Sequence, residues 1–105
     1  MIETMNALAE PNRLAIVDVL RGGSRSVGEL VDALSLKQPL VSRHLKVLSD
    51  AGIVRARVDA QRRIYSLRAA RFQELDTWLD GFAALWDERL DRLERHLVAD
   101  GDGAR

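Results

Sequence analysis

The sequence predicts a mainly α-helical domain carrying one small β-hairpin, and three observations predict it. Apolar residues recur at intervals of three and four over most of the chain. Between Gly52 and Arg68 that spacing gives way to two short runs rich in β-branched and aromatic residues. Terminating glycines and a serine–glutamate pair at capping distance divide the helical part into short pieces. At 105 residues the chain has room for one modest core, and 47% apolar residues are ordinary for a folded protein.

A short helix is expected over Ile2–Ala9, stopped at Glu10-Pro11-Asn12. Pro11 suits the first turn of the next helix, where its missing amide has no partner in any case. That helix runs to Arg21 with Leu14, Ile16, Val17, Val19 and Leu20 as its apolar face, and Gly22-Gly23 ends it. Ser26-Val27-Gly28-Glu29 has the spacing of a capping box and opens a helix to Leu34 that buries Val27, Leu30, Val31 and Leu34. After Ser35-Leu36-Lys37 a further helix spans about Gln38 to Ala51 and stops at Gly52. Two short amphipathic helices joined by a tight turn are the pattern of a helix-turn-helix. Ile53–Val58 and Arg62–Leu67 are expected to pair across Asp59-Ala60-Gln61 as a two-stranded hairpin, or wing. Phe72 to Val98 reads as one long helix with Phe72, Leu75, Leu79, Phe82, Trp86, Leu90, Leu93 and Leu97 spaced by threes and fours. Residues 1–98 are thus expected to form a single domain of about five helices and a wing, with 99–105 a flexible tail.

Charge is strongly polarised beneath a net of zero. Residues 1–36 carry three basic and five acidic groups, 37–71 nine against two, and 72–105 four against nine. A basic block in an acidic chain localises attraction to a polyanion, although a charge run also reads as a plain solvated face. On a helix over Gln38–Ala51, Pro39, Ser42, Arg43 and Lys46 share a narrow arc opposite Val41, Leu45 and Leu48. That is what a recognition helix in the major groove of double-stranded DNA needs. Gln38 and Arg43 are expected at base edges, with Ser42 and Lys46 on phosphates. The helix alone equally fits an amphipathic surface helix. The hairpin adds Arg55, Arg57, Arg62 and Arg63 around Gln61, a basic ribbon suited to phosphates or a minor groove. Helix-turn-helix and basic wing together are far more specific than either part.

Leu8-Ala9-Glu10-Pro11-Asn12-Arg13-Leu14-Ala15-Ile16 resembles the opening of the ArsR family of bacterial repressors. Gln38-Pro39-Leu40-Val41-Ser42-Arg43-His44-Leu45-Lys46-Val47-Leu48, with Ala51-Gly52-Ile53-Val54, resembles that family's recognition helix and its exit into the wing; Arg62–Leu67 resembles the returning strand. The resemblance spans roughly residues 5–98. It implies a winged helix-turn-helix repressor, His44 in the DNA-binding run (where packing or a phosphate contact are its alternatives), and a homodimer through the first and last helices. Met5, Leu8, Trp78, Leu79, Phe82, Leu85, Trp86, Leu90 and Leu93 are the expected interface. The residues point the same way, since Trp78, Leu85 and Trp86 widen the last helix's apolar stripe beyond the needs of one small core. The alternative is that both tryptophans close the monomer core. Two departures stand out: Lys37 replaces a frequent serine cap, leaving the cap to Ser35 or to no side chain, and Ala60 replaces a frequent glycine at the wing tip.

The resemblance also implies sites at which relatives hold metals, and no metal is expected here. The cysteine positions of those relatives fall on Ser26 and Gly28, and the Asp-x-His site falls on Asp76-Thr77-Trp78, which lacks the histidine. His96 alone fits a solvated helical residue better than a zinc ligand. No cofactor is expected, and the absence of cysteine excludes thiol sensing. An organic inducer or none at all both remain open. No glycine-rich phosphate loop, plausible Ser-His-Asp set or apolar carboxylate pair suggests an enzyme. The last helix's acids interleave with arginines, Asp91 with Arg95 and Glu88 with Arg92, as on a solvated face. With no apolar run near ~20 residues and no signal-like N-terminus, a cytoplasmic protein without membrane contact is expected. The second reading is a winged-helix protein-interaction module using the acidic C-terminal helix. It gives no reason for an arginine-rich wing.

Overall fold

The computed structural model describes residues 1–87 and 92–95. The chain divides into two compact units, Met1–Glu74 and a second that begins at Leu75. The first holds α1 (Ile2–Leu8), α2 (Pro11–Leu20), β1 (Arg25–Ser26), α3 (Val27–Leu34), α4 (Gln38–Asp50), β2 (Val54–Asp59) and β3 (Arg62–Leu67). Helix α5 (Ala69–Asp80) runs across the boundary.

Helix starts follow local chemistry. Glu10 caps α2 by accepting the Arg13 amide at 2.8 Å, with Pro11 in the first turn. Both arms of the expected capping box form at α3: the Glu29 amide donates to Ser26 Oγ at 3.2 Å, and the Ser26 amide donates to Glu29 Oε1 at 3.0 Å. Helix α4 begins at Gln38 after the N-cap Lys37, which makes no side-chain cap bond, and Ser35 instead takes the left-handed C-cap position of α3 (φ 54°). The tight turn between the two helices rests on that residue.

The C-terminus of α4 closes in a Schellman turn. Gly52, at φ 76°, donates to Ser49 O at 3.0 Å, and the Ile53 amide reaches Leu48 O at 2.9 Å. Arg71 Nε adds a bond to Ala51 O at 3.4 Å. The chain leaves directly into β2.

The sheet has three antiparallel strands in the order β1-β3-β2, not the two expected. Arg25 pairs with Tyr65 and Ser26 with Ile64. A two-residue strand has no alternation to read, so only tertiary pairing reveals it. In the wing, Val54 faces Leu67 and Asp59 faces Arg62. Ala60 takes the left-handed backbone itself (φ 57°), in the place where glycine is frequent.

Ala7, Ile16, Val17, Leu20, Leu30, Val41, Leu45, Leu48, Ile53, Val54 and Tyr65 form the core, so every helix from α1 to α4 and two strands contribute. Leu8, placed at a subunit interface from the sequence, packs partly against this core, and Met5 is half-buried.

The single long helix expected from Phe72 does not form as such. Helix α5 starts at Ala69 and ends at Asp80. Gly81 and Phe82 turn through bonds to Trp78 O and Leu79 O, three residues back, before helix resumes at 83–87. Glycine in a helix interior costs about 1 kcal/mol relative to alanine, and the break falls there. No residue of α5 is buried. Leu90, His96, Leu97, Val98 and the tail lie outside the described residues.

Gly52→Ala places a Cβ on a left-handed backbone and 3.2 Å from Arg71 Nε. It is expected to lower stability by about 1–2 kcal/mol in urea unfolding; an unchanged midpoint would show that the turn is not strained by a side chain.

Candidate nucleic-acid interface

The three buried residues Val41, Leu45 and Leu48, all at 0% exposure, hold one side of α4 in the core. Gln38, Pro39, Ser42, Arg43 and Lys46 are consequently exposed along the other side. A groove of about 910 Å³ lies beside that face. Gln38, Ser42, Lys46, Ser49 and Asp50 of α4 line one side, and Ala56, Gln61, Arg62, Arg63 and Tyr65 of the wing line another. The start of α3, at Ser26, Val27 and Gly28, completes it.

The groove thus gathers Gln38, Ser42, Lys46, Gln61, Arg62 and Arg63 from the residues singled out in the sequence. It does not include Pro39 or Arg43, which are exposed on α4 outside its lining. Nor does it include Arg55 and Arg57, which alternate with Ala56 and so stand on the other face of β2. By the same alternation and register Arg63 shares the face of Ala56, while Arg62, opposite Asp59 at the tip, shares that of Arg55 and Arg57, so the four wing arginines do not form one cluster.

His44 is a correction. Expected in the DNA-facing run, it is buried, with 8% of its surface exposed, on the core side of α4. Its Nδ1 lies 3.7 Å from Glu10 Oε2 and has no hydrogen-bond partner among the described residues. The helical angle explains this: His44 follows Arg43 by about 100° and shares the side of Val41, Leu45 and Leu48. The histidine stands beside the cap of α2, with little of its surface left to solvent.

Two groove cations already have carboxylate partners. Lys46 Nζ is 3.3 Å from Asp50 Oδ2, one helical turn on. Arg62 Nη2 donates to Glu29 Oε1 at 2.9 Å. The Glu29 carboxyl is held below the usual carboxylate range by the Ser26 amide, then by the Ser26 hydroxyl, with the Arg62 and Arg25 charges adding to them. Among the described residues no carboxylate lies within ion-pair distance of Arg43, Arg55, Arg57 or Arg63. Sequence reasoning missed Glu29 as a neighbour of the wing. Its capping role was legible from three-residue spacing, but its partner stands 33 residues away.

Ser26 and Gly28 belong to the cap and the groove, and among the described residues no group of three or more His, Cys, Asp or Glu could hold a metal ion. Among them, too, no helix is long and apolar enough to cross a membrane. In the second unit Trp78 and Phe82 pack edge to face at 5.0 Å, yet both stay substantially exposed, as do Leu79, Leu85, Trp86 and Leu93. Large exposed apolar side chains grouped in this way are typical of an interaction surface.

Residues 10–56 match the family model described as "Bacterial regulatory protein, arsR family". The chain is 51% identical over 65 residues to the HTH-type transcriptional repressor SmtB of Mycobacterium tuberculosis, covering 62% of this chain and 48% of that protein. It therefore spans about half the length of that relative. It is 40% identical over 96 residues to the HTH-type transcriptional regulator Rv2034 of the same species, covering 91% of this chain and 87% of the other. Among solved structures, the homodimeric winged helix-turn-helix DNA-binding domain Mb0332 of Mycobacterium bovis aligns with a TM-score of 0.65 at 28% identity, over 79% of this chain and 77% of that one. The chain belongs to the arsR family of bacterial regulatory proteins.

Proposed function

We propose that this chain is a sequence-specific DNA-binding transcriptional repressor that covers a near-palindromic operator as a homodimer and blocks polymerase. The observation that carries the reading is the juxtaposition of the exposed α4 face with the wing across one groove, with Arg43, Arg57 and Arg63 uncompensated by acids among the described residues. Gln38 and Arg43 read base edges; Ser42 and Lys46 hold phosphates, with Pro39 beside them; Gln61 and the arginines 55, 57, 62 and 63 follow the backbone from the wing. In this reading the protein performs no catalytic step and works in the cytoplasm.

Residues 1–98 act as one DNA-binding and dimerising domain in this reading. The exposed Trp78, Leu79, Phe82, Leu85, Trp86 and Leu93, with Met5, Leu8 and Leu90, form the interface between two copies. Twofold symmetry sets the two recognition helices about one DNA turn apart, ~34 Å. The homodimeric relative Mb0332 supports this arrangement.

The test is an anisotropy titration against duplex DNA from upstream of the gene, with a scrambled control, at several salt concentrations. Selective binding with a steep salt slope is expected; binding that does not distinguish the two duplexes would favour the protein-interaction reading instead. Arg43→Ala should cost about 1–3 kcal/mol and relax base preference at one position per half-site. A uniform loss over all sequences would move Arg43 to the phosphates. Replacing Arg57 and Arg63 by alanine should weaken binding to every duplex and flatten the salt dependence by roughly one unit for each phosphate no longer neutralised. An unaltered slope removes the wing from the interface. Trp86→Ala should produce monomers by size exclusion with light scattering, whereas an intact dimer would place that ring elsewhere.

A further inference from the structure

Arg62, one of the wing cations that lines the groove, is met by a carboxylate of the protein itself. Its Nη2 lies 2.9 Å from Glu29 Oε1, and both side chains are about half exposed. A surface glutamate ordinarily samples many rotamers, but this one is fixed: the same Oε1 accepts the Ser26 amide at 3.0 Å, and the helix cap holds the residue from the other side. Its negative charge therefore stands at a defined point beside the groove. The other acid–base pair there, Lys46 with Asp50, is local to one helix and more exposed at both ends. A carboxylate oxygen aimed at a guanidinium offers the charge and hydrogen-bond geometry of a phosphate oxygen.

Resting on the DNA-binding reading above, we propose that Glu29 is an internal stand-in for a DNA phosphate, which occupies Arg62 in the free protein and must be displaced when DNA docks. Glu29 acts through Arg62 and is a positioning residue, not a DNA contact. Its depressed carboxyl pKa keeps the charge in place to lower pH than an ordinary glutamate. Breaking the pair offsets part of what any phosphate returns, so the penalty falls on every duplex, whatever its sequence. Contacts from α4 to base edges carry no such penalty. The pair thus lowers the share of binding that is blind to sequence, which is how a binder gains discrimination without a new attractive contact.

Glu29→Gln separates the two roles of the residue. Glutamine still accepts the Ser26 amide in a capping box, so the helix start survives, while the charge facing Arg62 is gone. Wild type, Glu29→Gln, Arg62→Ala and the double variant are titrated by anisotropy over a salt series. The probes are sheared genomic duplex DNA, as a sequence-independent target, and the upstream duplex. Glu29→Gln should bind the genomic duplex about two- to fivefold more tightly, with a salt slope steeper by up to ~0.9. That gain should vanish when residue 62 is alanine. Equal affinity overturns the proposal, and so does a gain that persists without Arg62, since the charge would then act at a distance. Should Glu29→Gln melt early, single variants decide: Arg62→Ala must weaken genomic-duplex binding less than Arg63→Ala, whose side chain has no acid to leave among the described residues, and equal losses overturn the proposal. A wild type that binds neither DNA overturns the DNA-binding reading together with this one; a wild type that binds while Glu29→Gln behaves identically overturns this one alone.

Discussion

Helix α4 is held by one side, and the geometry of the interface depends on that constraint. Val41, Leu45 and Leu48 are closed off from solvent, so the rotation of the helix about its own axis is set by core packing. The same packing decides which residues remain outside. It also governs the wing, because the Schellman turn at Gly52 hands the chain straight to Ile53 and Val54, themselves buried. The spacing between recognition face and wing is thus a consequence of hydrophobic burial, although every residue lining the groove from α4 is polar. Mutations deep in the core can alter that spacing without touching the surface.

His44 shows how closely this constraint binds the motif. It follows the exposed Ser42 and Arg43 in the recognition run, yet it lies on the buried side of the helix, 3.7 Å from the carboxylate that caps α2. Glu10 therefore serves two elements, accepting the Arg13 amide and standing 3.7 Å from the imidazole. Arg13 extends the same junction to α1, donating to Ala7 O at 2.6 Å and Asn6 O at 3.3 Å. Three helices meet around one short polar cluster, and a polar joint is more demanding of geometry than an apolar one.

What could be read from the sequence was whatever local spacing encodes. The capping box, the proline at the start of α2, the glycine ending α4 and the two-faced character of α4 all depend on neighbours within one or two turns, and each is found where expected. The wing strands were legible from their β-branched content. What was not legible depends on partners far along the chain. Strand β1 exists only because Tyr65 and Ile64 are there to pair with it. Glu29 meets Arg62 only through the tertiary fold, across 33 residues of sequence. The inward turn of His44 was open to calculation from the helical angle, but motif membership outweighed it. The interruption at Gly81 was hidden by an apolar periodicity that continues across it.

The left-handed Ala60 at the wing tip has a consequence for dynamics. A glycine there would reach this backbone without strain but would also wander through many others. Alanine carries a steric cost in the folded protein, yet has fewer alternatives to visit. A ribbon tip that is already stiff surrenders less chain entropy when a large rigid ligand immobilises it. In the proposed DNA-binding reading the strain is thus borne before the encounter instead of during it, and the wing would meet its target as a preset finger, not as a loop that must settle after contact.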